Sequence, residues 1–278
     1  CEVSPYVFRM RKFIPWLKSH PTVSVVRMSG VIASGGRFDG SALNDVGLAP
    51  LLQKAFKKGR PEAVALVINS PGGSPVQSSL IGARIRRLAE ETNIKTYAFC
   101  EDVAASGGYW LACAADEIYV DSSSIVGSIG VISASFGFAG LMEKQGIERR
   151  VHTAGEDKSM LDPFRPERAE DVERLKDLQR VIHQNFKDHV EGRRGHKLVD
   201  RDLFTGEVWV GPKAVNDGLA DGIGHLVPFM QAKFGDKVKF NLLEQKRSFL
   251  SRFGMRALVG RAIASVEDQA LWSQYGLK

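Results

Sequence analysis

The sequence predicts an α/β fold with a mainly parallel β-sheet and flanking helices, and three features carry this prediction. Strand, turn and helix signals alternate through the first half of the chain, as in βαβ units. Residues 63–68 form an unbroken apolar run, which is typical of a strand covered on both faces. Apolar side chains recur at steps of three and four between residues 172 and 190, which indicates one face of a long amphipathic helix.

The predicted elements begin at residue 23. Their order is a strand at 23–28, a helix at 48–58, the strand at 63–68, a helix at 75–91, a strand at 96–100, a helix that opens at Ala104, a short strand at 118–120 and the long helix at 172–190. The helix at 48–58 ends where Gly59 and Pro61 interrupt its pattern. The strands alternate with helices, which is why we expect them to pair in parallel.

Composition divides the chain into three parts. Residues 1–22 are basic and aromatic and predict an arm, residues 23–245 predict a folded domain, and residues 246–278 predict a helical tail. The net charge of +6 comes largely from basic clusters near both ends, which suit peripheral contact with anionic lipid. We expect no nucleic-acid partner, because a solvated surface explains these charges as well.

The cysteines and the hydropathy predict a location. An odd count of three cysteines fits a reducing compartment better than a disulfide framework. No apolar run approaches the roughly 18 residues that a membrane span requires. We therefore expect a cytoplasmic protein, with peripheral contact at the inner membrane through its basic ends.

The glycine-rich turn after the apolar strand is a candidate oxyanion site. It reads Asn69-Ser-Pro-Gly-Gly73 and precedes the predicted helix at 75–91. Glycine adopts positive φ and leaves its amide unobstructed, so the amides of Gly72 and Gly73 can face a developing negative charge. The turn lacks the Gly-Lys-Ser/Thr ending of a phosphate-binding loop. A tight turn without chemistry is the alternative.

Ser106 is a candidate nucleophile. It lies in Ala104-Ala-Ser-Gly-Gly108, where small neighbours let a substrate backbone approach and the Gly107 amide offers a second oxyanion donor. The segment differs from the Gly-x-Ser-x-Gly nucleophile elbow, because both residues before the serine are alanine. An N-cap serine without a catalytic role is the alternative.

A serine nucleophile needs a base, and the sequence offers Lys158 and His152. A lysine acts as a base only when desolvation lowers its pKa, and apolar residues at 160–164 offer a wall beside Lys158. A solvated surface lysine is the alternative. His152 is the best histidine candidate, because a solvated role is the default for the three histidines in or just after the long helix, His183, His189 and His196.

Four motifs in this order resemble the signal peptide peptidase A and SohB (protease IV) family of serine peptidases, in its short single-unit form. They are Asn69-Ser-Pro-Gly-Gly73, Ala105-Ser-Gly-Gly-Tyr109, Gly127-Ser-Ile-Gly-Val131 and Lys158 in a Gly-x-x-Lys setting. The resemblance covers roughly residues 23–226. The sequence departs from the family in two respects, since it shows neither the common N-terminal membrane anchor nor the tandem form of the long members.

The resemblance implies a fold like that of Clp protease and crotonase, and it assigns roles to the candidate residues. Ser106 would be the nucleophile and Lys158 the base, with Ser128 orienting the lysine. The oxyanion donors would be Gly73 and Gly107, with Gly72 as an alternative. No metal or organic cofactor is implied.

The activity that the resemblance implies is that of a serine endopeptidase with a Ser/Lys dyad. Its substrates would be signal-peptide remnants or other membrane-derived or unfolded peptides, cleaved through an acyl-enzyme. We also expect a homo-oligomeric ring, because the long helix and the apolar tail leave surfaces that closed symmetry would cover. Two alternatives stay open. A crotonase-like acyl-CoA enzyme would share the oxyanion turn, and a catalytically silent scaffold at membranes would use none of it.

Overall fold

The computed structural model describes residues 20–34, 42–155, 158–245 and 269–277. The predicted N-terminal arm lies outside the described residues up to residue 19, and the tail lies outside them between residues 246 and 268. Among the described residues, no helix is long and apolar enough to cross a membrane.

The strands and helices alternate as predicted. The strands are β1 (Thr22–Ser29), β2 (Ala63–Ser70), β3 (Lys95–Ala105), β4 (Glu117–Val120), β5 (Ile125–Gly127), β6 (Val208–Val210), β7 (Gly222–Ile223) and β8 (Lys239–Leu243). The helices are α1 (Asp45–Lys57), α2 (Pro75–Thr92), α3 (Gly107–Cys113), α4 (Ala139–Lys144), α5 (Ala169–Arg194), α6 (Gly211–Asn216) and α7 (Leu226–Phe234). Residues 269–273 form a further helical segment near the C-terminus.

The strands form one mainly parallel sheet, which confirms the predicted fold class. Its order is β6-β5-β3-β2-β1-β8. Strand β4 lies off this path and pairs with the first half of β3 on one side and with β7 on the other. The β5–β6 pair is antiparallel, and the other pairs are parallel. The apolar run at 63–68 is the central strand β2, and every residue in it is buried.

Helices cover both faces of the sheet. On one face, α1, α2, α3 and α5 bury a large apolar core that includes Leu52, Ile85 and Phe186. On the other face, Met230 of α7 packs on a smaller cluster that includes Val67 and Phe99. Burial on both faces explains why β2 lacks the polar alternation of a half-exposed strand.

Two elements differ in length from the sequence prediction, and both differences affect the candidate site. Strand β3 continues to Ala105, so Ser106 stands at the end of the strand and α3 begins only at Gly107. Residues 104 and 105 are alanines, which by themselves favour a helix, and pairing with β5 keeps them extended. Helix α5 is longer than predicted and runs for 26 residues.

Candidate functional site

Hydrogen bonds to Ile32 fix the backbone of the glycine-rich turn. Gly72 and Gly73 adopt φ values of +103° and +136°, which glycine tolerates best. The Ile32 amide donates to the Gly72 carbonyl, and the Ser74 amide donates to the Ile32 carbonyl. This parallel bridge leaves the Gly73 amide facing away from Ile32, because successive amides of an extended chain point to opposite sides.

Ser106 occupies a strained position at the junction of β3 and α3. Its backbone has φ +51° and ψ −121°, a combination that non-glycine residues seldom adopt and that occurs preferentially at functional sites. The Ser106 amide donates to the Gly127 carbonyl at 2.8 Å, and its carbonyl accepts from the Trp110 amide at 3.0 Å. Both bonds fix the backbone of Ser106 at the end of the strand. The residue is half-buried.

The structure brings the glycine-rich turn and Ser106 together. A methyl group on Gly107 would stand 2.4 Å from the Ser78 hydroxyl oxygen and 3.4 Å from the Gly72 Cα. Among the hydrogen bonds of the described residues, none is donated by the Gly73 or Gly107 amide. The Gly72 amide instead donates to the Ser70 hydroxyl at 3.2 Å, which favours Gly73 over Gly72 as an oxyanion donor.

A small cleft opens beside Ser106. It is lined by Gly73, Pro75, Ser78, Ser106, Gly107, Trp110, Gly130, Val131, Ile182 and Phe186. The apolar side of the cleft comes from α3 and α5, whose Trp110 and Phe186 rings lie 5.0 Å apart. The sequence motifs did not identify this wall, although the apolar periodicity of α5 was the signal that could have indicated it.

Ser128 follows β5 and borders the site. Its φ of +50° is again in the left-handed region, and its amide donates to the Glu207 carbonyl at 2.7 Å. The Gly130 amide bonds back to the Ser128 carbonyl at 2.9 Å, which closes a tight turn. The Tyr275 hydroxyl donates to the Ser128 hydroxyl oxygen at 3.4 Å, so the described C-terminal segment lies against this turn.

Lys158 is not among the residues that line the cleft beside Ser106. Its side chain is exposed, and no hydrogen bond or ion pair between described residues engages its ammonium group. The same holds for His152, which is also exposed. The turn at 158–161 is attached to the start of α5, where the Leu161 amide donates to the Asp171 carboxylate at 3.3 Å.

Two histidines that the sequence assigned to solvent connect α5 to the site. The His183 Nε2–H group donates to the Ile129 carbonyl at 3.1 Å, beside Ser128. The His189 Nε2–H group donates to the Trp110 carbonyl at 3.0 Å, and its ring stacks on the indole at 4.5 Å. Burial lowers the pKa of His189, which keeps its ring neutral.

The cysteine thiols near the site are inaccessible to solvent. The thiols of Cys100 and Cys113 are buried, and burial raises the pKa of each to about 12. They are therefore inert at neutral pH. No group of three or more His, Cys, Asp and Glu side chains in the described part of the chain is arranged to hold a metal ion.

A larger groove lies on the opposite face of the sheet, beyond the N-terminus of α7. Val25, Val67 and Phe99 form its floor, and ion pairs such as Arg27–Glu101 form its rim. Ser106 does not contribute to this groove, so its size alone does not make it the candidate site.

Comparison with known proteins identifies a peptidase family. Residues 89–233 match the sequence model of peptidase family S49. A putative signal peptide peptidase SppA of Enterococcus faecium is 28% identical over 211 residues, which cover 74% of this chain and 61% of that protein. The chloroplastic serine protease SPPA of Arabidopsis thaliana is 31% identical over 255 residues, which cover 88% of this chain and 36% of that protein.

A relative with a different name is more similar over a longer stretch. A protein of Brucella melitensis named Na(+)/H(+) antiporter NhaA is 50% identical over 271 residues, which cover 92% of this chain. Those residues make up 37% of that protein. This chain thus spans less than two thirds of the length of each of these relatives.

Proposed function

This chain belongs to peptidase family S49, and on that basis we propose that it is a serine endopeptidase with Ser106 as nucleophile and Lys158 as general base. One observation carries the assignment of Ser106. Its backbone is strained, with φ +51°, and the Gly72–Gly73 turn is packed directly against it. A serine held in this way, with unpaired amides on both sides, suits attack on a carbonyl carbon.

The chemistry follows from the arrangement of donors. The Ser106 hydroxyl attacks the scissile carbonyl while the base takes its proton, and the carbonyl oxygen becomes an oxyanion. The Gly73 and Gly107 amides donate to that oxygen, which favours the transition state over the bound substrate. The base then protonates the leaving amine, and water hydrolyses the acyl-enzyme on Ser106. No cofactor enters these steps.

The proposed substrates are signal-peptide remnants or other membrane-derived or unfolded peptides. The cleft beside Ser106 is lined by Trp110, Val131, Ile182 and Phe186, which suits an apolar side chain next to the scissile bond. A relative named as a putative signal peptide peptidase supports the same substrate class. The basic ends of the sequence and its free thiols support a cytoplasmic site at the periphery of the inner membrane.

The separate attachment points of the Lys158 turn and the Ser128 turn on α5 support a dyad formed by two copies of the chain. The turn at 158–161 is attached to Asp171, whereas the turn of Ser128 is attached to His183. These two residues of α5 are about 18 Å apart along the helix axis. A lysine acts as a base only when it is removed from water, and Lys158 is exposed in the single chain. A neighbouring copy would supply the Ser106 hydroxyl and would also shield Lys158 from water.

The segment between β5 and α5, which carries Lys158, supports such an assembly. Several large apolar side chains between β5 and α5 are exposed, namely Ile132 (74%), Phe136 (81%), Leu141 (57%) and Ile147 (56%). Contiguous exposed apolar groups mark an interaction surface, and we propose that these four side chains belong to one. A closed ring, in which each copy gives Lys158 to one neighbour and receives it from the other, would cover this surface in every copy.

Fluorophosphonate labelling tests the assignment. A fluorophosphonate probe should label the purified protein at Ser106, and Ser106→Ala should abolish both labelling and peptide hydrolysis. Lys158→Ala should also abolish hydrolysis, and its mixture with the Ser106→Ala protein should recover activity after subunit exchange. A protein that is not labelled, or that keeps hydrolysing peptides without Ser106, is not this peptidase. An acyl-CoA enzyme or a silent scaffold would then be the better assignment.

A further inference from the structure

Asp171 is a buried carboxylate in the first turn of α5. The residue is 3% exposed, which is unusual for aspartate unless its charge is paired. Along α5 it lies about 18 Å before His183, the residue that bonds beside Ser128, so the chemistry proposed for Ser106 does not explain its burial. Its partners lie on the segment that precedes the helix.

Two groups bind this carboxylate. The Arg168 guanidinium forms a bidentate ion pair with the carboxylate. Its Nε donates to Oδ2 at 3.0 Å and its Nη2 donates to Oδ1 at 2.5 Å. The Leu161 amide donates to Oδ2 at 3.3 Å. The Arg168 guanidinium holds the pKa of the Asp171 carboxyl below its ordinary value, so the side chain remains a charged acceptor at neutral pH.

The Leu161 amide belongs to the turn that carries Lys158. Leu161 has φ +54°, a left-handed conformation that is unfavourable for leucine and persists only when neighbouring groups hold it. The Lys158 amide closes a weak bond of 3.4 Å to the Gly155 carbonyl within the same loop. In the described structure, the Leu161–Asp171 bond is the hydrogen bond that joins the 158–161 turn to α5.

We propose that Asp171 is the positioning residue for the general base. Its carboxylate, oriented by Arg168, holds the Leu161 amide and so fixes where the 158–161 turn presents Lys158. This inference rests on the proposed role of Lys158. Asp171 touches neither the substrate nor Ser106, and its effect on catalysis passes through the turn.

A dyad formed in trans makes this role separable from a general role in folding. In a mixture of Ser106→Ala and Lys158→Ala chains, the first variant supplies only the base and the second supplies only the nucleophile. Asp171 should therefore matter in the Ser106→Ala chain and be dispensable in the Lys158→Ala chain. A role in folding or assembly would affect both chains alike.

The experiment places Asp171→Ala in one chain or the other and measures peptide hydrolysis by the exchanged mixture. On the base-supplying chain we expect kcat to fall about 10- to 100-fold, because a displacement of about 1 Å costs this much. On the nucleophile-supplying chain we expect no change. Asp171→Asn keeps one oxygen for the Leu161 amide but loses the ion pair, so its loss should be smaller than that of Asp171→Ala.

Glu173→Ala is the matched control. Glu173 lies on the same helix turn, is 66% exposed at its side chain and pairs with Lys176, so its removal should leave the mixture fully active. Thermal unfolding of each chain checks that the variants remain folded. An equal loss on both chains, or no loss on either, would overturn the positioning role.

The outcome is distinguishable from a failure of the proposed function. If Lys158→Ala alone retains activity, the base assignment fails and the role of Asp171 fails with it. If the parent mixture is inactive although wild type hydrolyses peptides, the dyad forms within one chain. Asp171→Ala in the intact enzyme must then lower kcat at unchanged KM and alter the pH–rate profile. Any other pattern contradicts the proposal.

Discussion

Gly72 lies directly against Ser106. A methyl group on Gly72 would stand 2.7 Å from the Ser106 Cβ and 2.8 Å from the Gly107 nitrogen. The backbone of Gly72 also has φ +103°, which disfavours any side chain. The glycine-rich turn and the Ser106–Gly107 backbone are thus in direct contact. Any side chain at residue 72 would force them apart.

Gly72→Ala should therefore separate the turn from Ser106, the proposed nucleophile. We expect kcat/KM for peptide hydrolysis to fall by about 100-fold or more, the loss seen when one oxyanion donor is removed. Overpacking should also lower the free energy of unfolding by about 1–3 kcal/mol. Steady-state kinetics and urea denaturation measure the two effects.

Gly59→Ala is the control for backbone strain. Gly59 has φ +78°, and a methyl group at this position would meet nothing within 4 Å. The substitution should therefore cost only about 1–2 kcal/mol of stability, the penalty of a left-handed backbone for a non-glycine residue, and leave activity intact. If both variants lost activity equally, strain in general would explain the result, and the contact with Ser106 would not.

The sequence predicted those parts of the fold and the site that depend on neighbouring residues. The apolar run of β2 and the turn after it are local patterns, because burial and positive φ restrict which residues fit. Ser106 and Gly73 lie on consecutive strand ends of one parallel sheet, so their proximity follows once the strands are known. The adjacency of the glycine-rich turn and Ser106 was therefore predictable from the sequence, whereas their roles in catalysis stay a prediction.

The remaining features depend on long-range packing, which local patterns do not encode. His189 occupies a position on α5 that predicts exposure, yet Trp110 of another helix covers it. The turn that carries Lys158 is bonded to Asp171 of α5, and the proposed partner of Lys158 lies on another copy. The boundary of β3 at Ala105 depends on pairing with β5.

His189 predicts a stability change below neutral pH. Burial against Trp110 lowers the pKa of His189 from 6.5, so the unfolded chain binds the proton more tightly than the folded chain. Its contribution to stability is complete above pH 6.5 and is lost as the pH falls through the lowered pKa. His189→Gln, which keeps an amide donor and cannot protonate, should flatten this loss. Urea denaturation between about pH 5 and pH 8 measures it, and parallel curves for both proteins would contradict the assignment.

Asp221 predicts an acid-dependent weakening of the fold. Its burial raises the pKa, but hydrogen bonds from Arg194, Lys197 and the Ile118 amide outweigh this effect, so the pKa of Asp221 is lowered below 3.8. Arg194 is 3% exposed at its side chain and lies 2.7 Å from Asp221. Removing one partner of such a buried pair costs about 3–5 kcal/mol, so Asp221→Asn should lose that much at pH 7.

The difference should shrink in acid. As the pH falls below 3.8 and through the lowered pKa, the wild-type carboxyl protonates and comes to resemble the asparagine. Denaturant titrations at neutral pH and at about pH 3 compare the two proteins. Glu148→Gln, which removes an exposed pair with Arg150, should change little at either pH. A deficit for Asp221→Asn that stays constant down to low pH would refute the charged role.

The assembly prediction concerns Phe136, which is 81% exposed. Its removal should not destabilise the single chain, because little of its surface is buried there. If a neighbouring copy covers this side chain, Phe136→Ser should lower the mass of the assembly in light scattering and lower peptide hydrolysis with it. Val46→Ser on α1, also exposed at 60%, should change neither quantity. Loss of activity in a Phe136→Ser protein whose mass is unchanged would show that Phe136 acts on the substrate and not on assembly.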